Sequence, residues 1–341
     1  MADYGICIGI DGYPGLNDLH GPCNDAAAFK EWLLQPAKGG LDEANVSSLI
    51  SRELQPVSSD ISDARPLQPE LENLFYPFVE AAAQQQHLGR RLFIFVAGHG
   101  FADPVDMNSA ALYAANARKL FAANLAVSEY VHFLRRHWVF DEIILVMDAC
   151  RSTSAFHQIG APPLPVFNSH ANAHKVKMFL GYGAAFNQVT REKDIEGQTR
   201  GIFTTAVLDA LENAPANRNG RVTGTQIKDY IHNIINGISG TDTASTLAIE
   251  ADDRKDVFFI GREYQPDQQQ QPKFDVSFDV ADRFLNHNLT IEAADGAEIS
   301  QHSITTNQFT LALTQGYFKA HIDTLNFHQL IEVPGNVTLN S

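Results

Sequence analysis

Two stretches of this chain are apolar at every position for the length of a strand: Leu92-Phe93-Ile94-Phe95-Val96-Ala97 and Ile143-Ile144-Leu145-Val146-Met147. A strand with one wet face alternates, whereas a strand covered on both faces does not, so these runs predict the interior of a parallel sheet with helices above and below it. Each run ends in small and reactive residues. The first closes in Gly98-His99-Gly100 and the second in Asp148-Ala149-Cys150-Arg151-Ser152, with Cys150 fifty-one residues after His99. Open α/β sheets place their active sites at the carboxyl ends of such strands. His99 and Cys150 are therefore candidates for a base and a nucleophile.

The rest of the chain supports an alternating order. Residues 4–10 read as a first strand, broken by Asp11-Gly12-Tyr13-Pro14-Gly15, and residues 24–34 have helical spacing with Asn24 as an N-cap candidate. Further strands are expected at 46–50, 91–98, 142–149, 175–181 and 256–260, and helices at 70–87, 127–137, 202–212 and 223–235. Strand and helix in alternation predict a mostly parallel six-stranded sheet with helices on both faces. The Gln-rich segment 265–272 reads as a linker. Beyond it, segments such as Phe274-Asp275-Val276-Ser277-Phe278-Asp279-Val280 alternate with period two, which predicts a small all-β sandwich over 273–341. The expected division is a domain over 1–264, the linker, and this accessory domain.

Composition narrows the function classes. A net charge of -15 with no basic stretch argues against a nucleic-acid partner. The three cysteines, Cys7, Cys23 and Cys150, show neither CxxC nor metal-ligand spacing, so neither a disulfide framework nor a metal site is expected, and a reducing cytoplasm is the expected home. No signal segment and no apolar run of membrane-spanning length is evident, so no membrane association is expected.

The combination of Ile8-Gly9-Ile10, Tyr13-Pro14, Asn24-Asp25-Ala26, Ala97-Gly98-His99-Gly100 and Asp148-Ala149-Cys150-Arg151-Ser152 resembles the caspase-like cysteine peptidases of family C14, in the bacterial metacaspase and paracaspase (orthocaspase) branch. The resemblance covers residues 3–262, and Arg200-Gly201-Ile202-Phe203-Thr204 is similar to a helix start seen in bacterial members. Caspases carry Gln-Ala-Cys followed by Arg, Gln or Gly and then Gly, with the histidine about fifty residues upstream. Here Asp148 stands for the glutamine and Ser152 for the final glycine, departures that point toward the metacaspase side.

The chemistry is also readable from the residues. A free thiol with a pKa of about 8.5 is only slightly ionised at neutral pH, and an adjacent imidazole both raises its reactivity and returns the proton to the leaving amine. The expectation is a Cys150–His99 dyad, with the Gly100 and Cys150 amides as the oxyanion hole. The resemblance implies further that Asp25 and Asp148 line the first specificity pocket and select Arg or Lys, a choice that suits the planar donors of a guanidinium. The bland alternative makes Asp25 a helix cap and Asp148 a strand-end residue bonded to nearby amides.

Cys7 and Cys23 are expected to be structural, and His20, His157, His170 and His174 to be surface residues in polar loops. Self-processing after Lys175 or Lys177, or in the region of Arg191, Lys193 and Arg200, would suit an Arg/Lys-directed enzyme. No cofactor is expected. Calcium activation is common among metacaspases, yet no calcium-loop spacing occurs here. The expected partner is a protein or peptide substrate, with the β-domain serving regulation or target docking, and the resemblance suggests a role in programmed cell death or defence. Two alternatives stand beside this reading. One is a catalytically idle caspase-homology scaffold; the other is a separase-like or gingipain-like peptidase, which the Asn24-Asp25-Ala26 and Asp148 to Ser152 segments fit less well.

Overall fold

The structure is a computed structural model that describes residues 2–54, 59–106, 108–153, 158–195, 197–217, 219–239, 246–251, 256–261, 273–293, 298–314, 316–333 and 337–339. The chain divides into two compact units, residues 1–264 and 265–341. The Gln-rich segment 265–272 lies outside the described residues, as does His157.

The first unit is built on six strands: β1 Ala2–Gly9, β2 Val46–Ile50, β3 Gly89–Gly98, β4 Phe140–Ala149, β5 Lys177–Tyr182 and β6 Ala248–Ala251. They lie in the order β6-β5-β4-β3-β1-β2, and every neighbouring pair is parallel except β6 with β5. The helices that cover this sheet are α1 Pro22–Leu34, α2 Gln68–Asn73, α3 Tyr76–Ala83, α4 Val127–Arg136, α5 Ile202–Asn213 and α6 Gly224–Ser239.

Side chains along β3 and β4 show why those runs lack alternation. Leu92, Ile94 and Val96, with Ile143, Leu145 and Met147, enter one core together with Leu71, Phe78, Val131 and Leu134 of α2, α3 and α4. Phe93, Phe95, Ile144 and Val146 enter the opposite core with Phe29 and Trp32 of α1, Val207 of α5 and Ile227 and Ile231 of α6. The pleat sends successive residues to opposite faces, and both faces are dry.

Some expectations need correction. The sixth strand of the sheet is Ala248–Ala251, whereas Phe258–Gly261 pairs with Arg221–Thr223 in a separate two-stranded sheet. The helix expected over 70–87 is two, with Leu74 and Phe75 between them. Helix α1 starts at Pro22 with Gly21 at its cap position, so Asn24 lies inside the helix. Two features were not anticipated: a small sheet of Gly100–Phe101, Ala111–Tyr113 and Asn124–Leu125, and a hairpin of Glu192–Ile195 with Gln198–Gly201.

The second unit consists of two sheets that share one core. Lys273–Val280 lies between Gln308–Thr314 and Val337–Leu339 in the first; Glu298–Ser303, Asn288–Ala293, Gly316–Ile322 and Phe327–Val333 form the second, antiparallel throughout. Alternate residues, such as Val276, Phe278 and Val280, or Phe318, Ala320 and Ile322, meet in that core. Among the described residues, no helix in the chain is long and apolar enough to cross a membrane.

Candidate active site

Parallel pairing sets Gly98 opposite Ala149, and an isolated bridge between Ala102 and Thr153 keeps the same offset beyond the strand tips. His99 therefore falls opposite Cys150, just past the ends of neighbouring strands about 4.8 Å apart. The Ala102 amide donates to the Ser152 carbonyl at 3.3 Å, which carries the side-by-side course past both residues.

The imidazole is held from two directions by the loop that follows β1. Its Nε2 lies 2.7 Å from the Asn17 carbonyl oxygen. A carbonyl only accepts, so Nε2 carries the proton, and the neutral ring keeps its lone pair on Nδ1. From beneath, the His99 amide donates to the Tyr13 hydroxyl at 3.1 Å, and the two rings lie 4.8 Å apart. Tyr13 is fully buried, and its own amide donates to Asp18 Oδ1 at 2.7 Å. Backbone bonds from Leu16 to Tyr13 and from Leu19 to Asp11 close the loop. A backbone carbonyl has no signature in sequence, and this is why the dyad expectation did not include Asn17.

Cys150 is half-buried. Burial pushes its thiol above the ordinary value; a hydrogen bond from the Thr190 amide opposes that and nearby Asp148 adds to it. A thiol so placed is neutral at rest, and its reaction as a nucleophile requires a base to take the proton. The amide of Gly100 is turned away from the strand Ala111–Tyr113. Tyr113 N–H donates to the His99 carbonyl at 2.9 Å, which makes Gly100 and Leu112 a non-hydrogen-bonded pair whose amides point away from each other. Gly100 also lies against the chain just past β4: a Cβ there would stand 2.8 Å from the Cys150 carbonyl oxygen.

Asp25 and Asp148 come together across Gly201, at the amino terminus of α5. A Cβ on Gly201 would collide with Asp148 Oδ2 and stand 2.9 Å from Asp25 Oδ2, so only glycine fits between the carboxylates. Asp148 Oδ1 accepts from Thr190 Oγ1 at 2.5 Å, and its Oδ2 accepts from the Thr204 amide at 2.9 Å and the Thr204 hydroxyl at 2.7 Å. Asp25 Oδ2 accepts the Gly201 amide at 2.8 Å, and its Oδ1 accepts Arg200 Nε at 2.7 Å. Burial, followed by the charge of Asp148, pushes Asp25 up to about 7 even with Arg200 beside it. Burial also raises Asp148, against its bonds to Thr190 and Thr204.

The remaining sequence candidates lie elsewhere. Cys7 is fully buried, and that burial pushes its thiol up to about 12; Cys23 is buried with its sulfur 3.3 Å from Ser51 Oγ. His20 and His174 are exposed. His170 is not a plain surface residue, since its ring stacks on Trp138 at 5.0 Å. Lys177 pairs with Glu142 at 3.1 Å and Lys193 donates to the Ile238 carbonyl at 2.8 Å. Among the described residues, no group of three or more His, Cys, Asp or Glu side chains could hold a metal ion.

The family model for the caspase domain matches residues 4–260. No curated protein matches the chain. Among solved structures, a protein from Geobacter sulfurreducens is 12% identical over 80% of this chain and 97% of its own, with a TM-score of 0.45. Caspase-1 from Spodoptera frugiperda is 11% identical over 67% of this chain and 74% of its own, with a TM-score of 0.42. The structure of pro-sf-caspase-1 is 12% identical over 73% of this chain and 90% of its own, with a TM-score of 0.42.

Proposed function

The chain belongs to the caspase-domain family of peptidases, C14, and from that premise we propose that it is a cysteine endopeptidase that works through Cys150 and His99 and cleaves after Arg or Lys. The observation that supports this reading is the strand register that sets His99 beside Cys150, together with the His99 Nε2 on the Asn17 carbonyl, which in the proposed reaction leaves Nδ1 as the base.

In the proposed reaction, Nδ1 takes the thiol proton as Sγ attacks the scissile carbonyl. The Gly100 and Cys150 amides receive the oxyanion, a contribution worth about 2.7–4 kcal/mol per donor where such holes have been dissected. The imidazolium then protonates the leaving amine as the C–N bond breaks, and a thioester on Cys150 remains. Water, deprotonated by the same imidazole, hydrolyses it and restores the thiol. Asp25 and Asp148 supply the negative charge for the basic side chain ahead of the scissile bond. The family suggests a role in cell death or defence, and orthocaspase-type membership fits the acidic pair.

The test is turnover of fluorogenic peptides with Arg, Lys, Asp or Leu at the cleavage position, by the protein and by Cys150→Ala, with and without calcium. Cys150-dependent cleavage of the Arg and Lys peptides supports the proposal. Cleavage of Asp or Leu peptides with Arg ignored would remove the acidic-pocket part of it. No Cys150-dependent turnover of any peptide, in protein shown to be folded, would favour the idle scaffold.

A further inference from the structure

The carboxylate assigned to a substrate guanidinium already holds one, and it is the protein's own. Arg200 Nε donates to Asp25 Oδ1 at 2.7 Å, and the next amide, Gly201 N–H, donates to Asp25 Oδ2 at 2.8 Å. The guanidinium is largely enclosed, with 18% of its side chain exposed against 2% for Asp25. Arg200 sits near the end of the hairpin of Glu192–Ile195 and Gln198–Gly201, paired with Lys193. Both sides of that hairpin are fastened by groups other than the Arg200 side chain. Glu192 accepts the Gly21 amide at 2.9 Å and the His20 amide at 3.3 Å, Asn24 Nδ2 donates to the Thr199 carbonyl at 2.9 Å, and Gly201 remains on Asp25.

We propose that Arg200 is a specificity-determining residue of the substrate pocket, an internal guanidinium that competes with the substrate's basic side chain for Asp25. This rests on the reading of Asp25 and Asp148 as the pocket for Arg or Lys. A second cation brought to Asp25 while Arg200 is in place would stand beside a like charge, and Oδ2 is already occupied by Gly201. Binding of a basic side chain therefore includes displacement of Arg200 toward solvent. The hairpin need not move, because its fastenings are independent of that side chain. The pocket's affinity for Arg or Lys is then the difference between two guanidinium contacts, the external and the internal, and removal of the internal one strengthens the external one.

The experiment compares wild type with Arg200→Gln, Arg200→Met and Arg200→Lys, each also carried on Cys150→Ala for binding measurements. Benzamidine, a small amidinium, is titrated calorimetrically into the Cys150→Ala forms, and KM and kcat for Arg and Leu peptides are measured in the Cys150 forms. The expected result is benzamidine binding and Arg-peptide KM improved about tenfold by Gln and Met, with kcat moved less than KM and the Lys variant close to wild type. Benzamidine affinity unchanged or weakened in Gln and Met forms that melt like wild type would overturn the proposal, since a merely structural counter-ion would act on stability alone. The Met variant guards against a Gln form that fails to fold. Failure of the pocket reading itself shows separately, as wild type that cleaves Asp or Leu peptides and ignores Arg.

Discussion

At the scale of single residues, the histidine is held by one backbone carbonyl and one side-chain hydroxyl. The Asn17 carbonyl fixes the tautomer, and the Tyr13 hydroxyl fixes the backbone from which the ring projects. Tyr13→Phe keeps the ring against the imidazole and removes the hydroxyl, which is both the acceptor of the His99 amide and the donor to the Tyr113 carbonyl at 3.4 Å. A buried donor left without a partner costs about 1–3 kcal/mol. The expected outcome is a denaturation midpoint lowered accordingly and kcat reduced about tenfold with KM unchanged, as for a loss confined to the reacting geometry. Asp25 gives a second prediction, on pH. Its carboxyl is raised from 3.8 to about 7, so it is neutral on the acid side of 7 and offers a cation less. KM for Arg peptides should rise as pH falls through about 7, and Asp25→Asn should abolish that step in a KM–pH profile. The stability consequence has the opposite sense. Between about pH 4 and 7 the unfolded chain has released a proton that the folded one retains, so the stabilisation from this group is full below 4 and is lost as pH rises toward 7.

At the scale of elements, the two helices that flank the site begin without caps of their own. Gly21 precedes α1 and Gly201 precedes α5, and neither has a side chain to offer. The orphan amides are met from other parts of the chain. Asp11 Oδ1 accepts from Cys23 and Glu192 accepts from Gly21 at α1, while Asp25 accepts from Gly201 and Asp148 from Thr204 at α5. This explains what was legible in the sequence and what was not. The strand interiors and the change to small and polar residues at their ends are local patterns, so the two strands and the places of His99 and Cys150 just past their ends could be read directly. The start of α1 was misplaced at Asn24 because its caps come from residues 12 and 171 positions away. The hairpin that carries Arg200 has no alternation of apolar residues, and its position depends on partners that are close only after folding. Asp148 caps α5 through the Thr204 amide and hydroxyl, whatever its part in the proposed pocket. Asp148→Asn places an amide where an oxygen receives Thr190 or Thr204, and should cost about 1–3 kcal/mol in chemical denaturation. An unchanged midpoint would mean that α5 does not depend on this cap.

At the scale of the molecule, the covered sheet makes the first unit one cooperative body. From Leu92 to Ala97, successive residues of β3 enter the two cores in turn. Phe95 stacks on Phe29 of α1 with rings 4.8 Å apart, while on β4 Leu145 enters the core formed with α2, α3 and α4. The helical layers on the two faces therefore share their scaffold, and neither can lose its packing without exposing strands that the other needs. Parallel pairing runs unbroken from β2 to β5, so the backbone bonds of the central strands belong to both layers at once. Substitution on either face should then act on the same event. Phe95→Ala is expected to cost about 3–5 kcal/mol and Leu145→Ala about 2–5 kcal/mol, the range for large-to-small changes in a filled core. The measurement is denaturant unfolding of residues 1–264 followed by tryptophan fluorescence and by far-ultraviolet circular dichroism. Trp32 lies in the core with α1, and Trp138 packs against the core on the other face, so fluorescence reports from both sides. Each substitution should shift the two signals together and leave them superimposed. If Phe95→Ala moved one signal while the other kept its midpoint, the two faces would be unfolding separately and the sheet would not be the shared element described here.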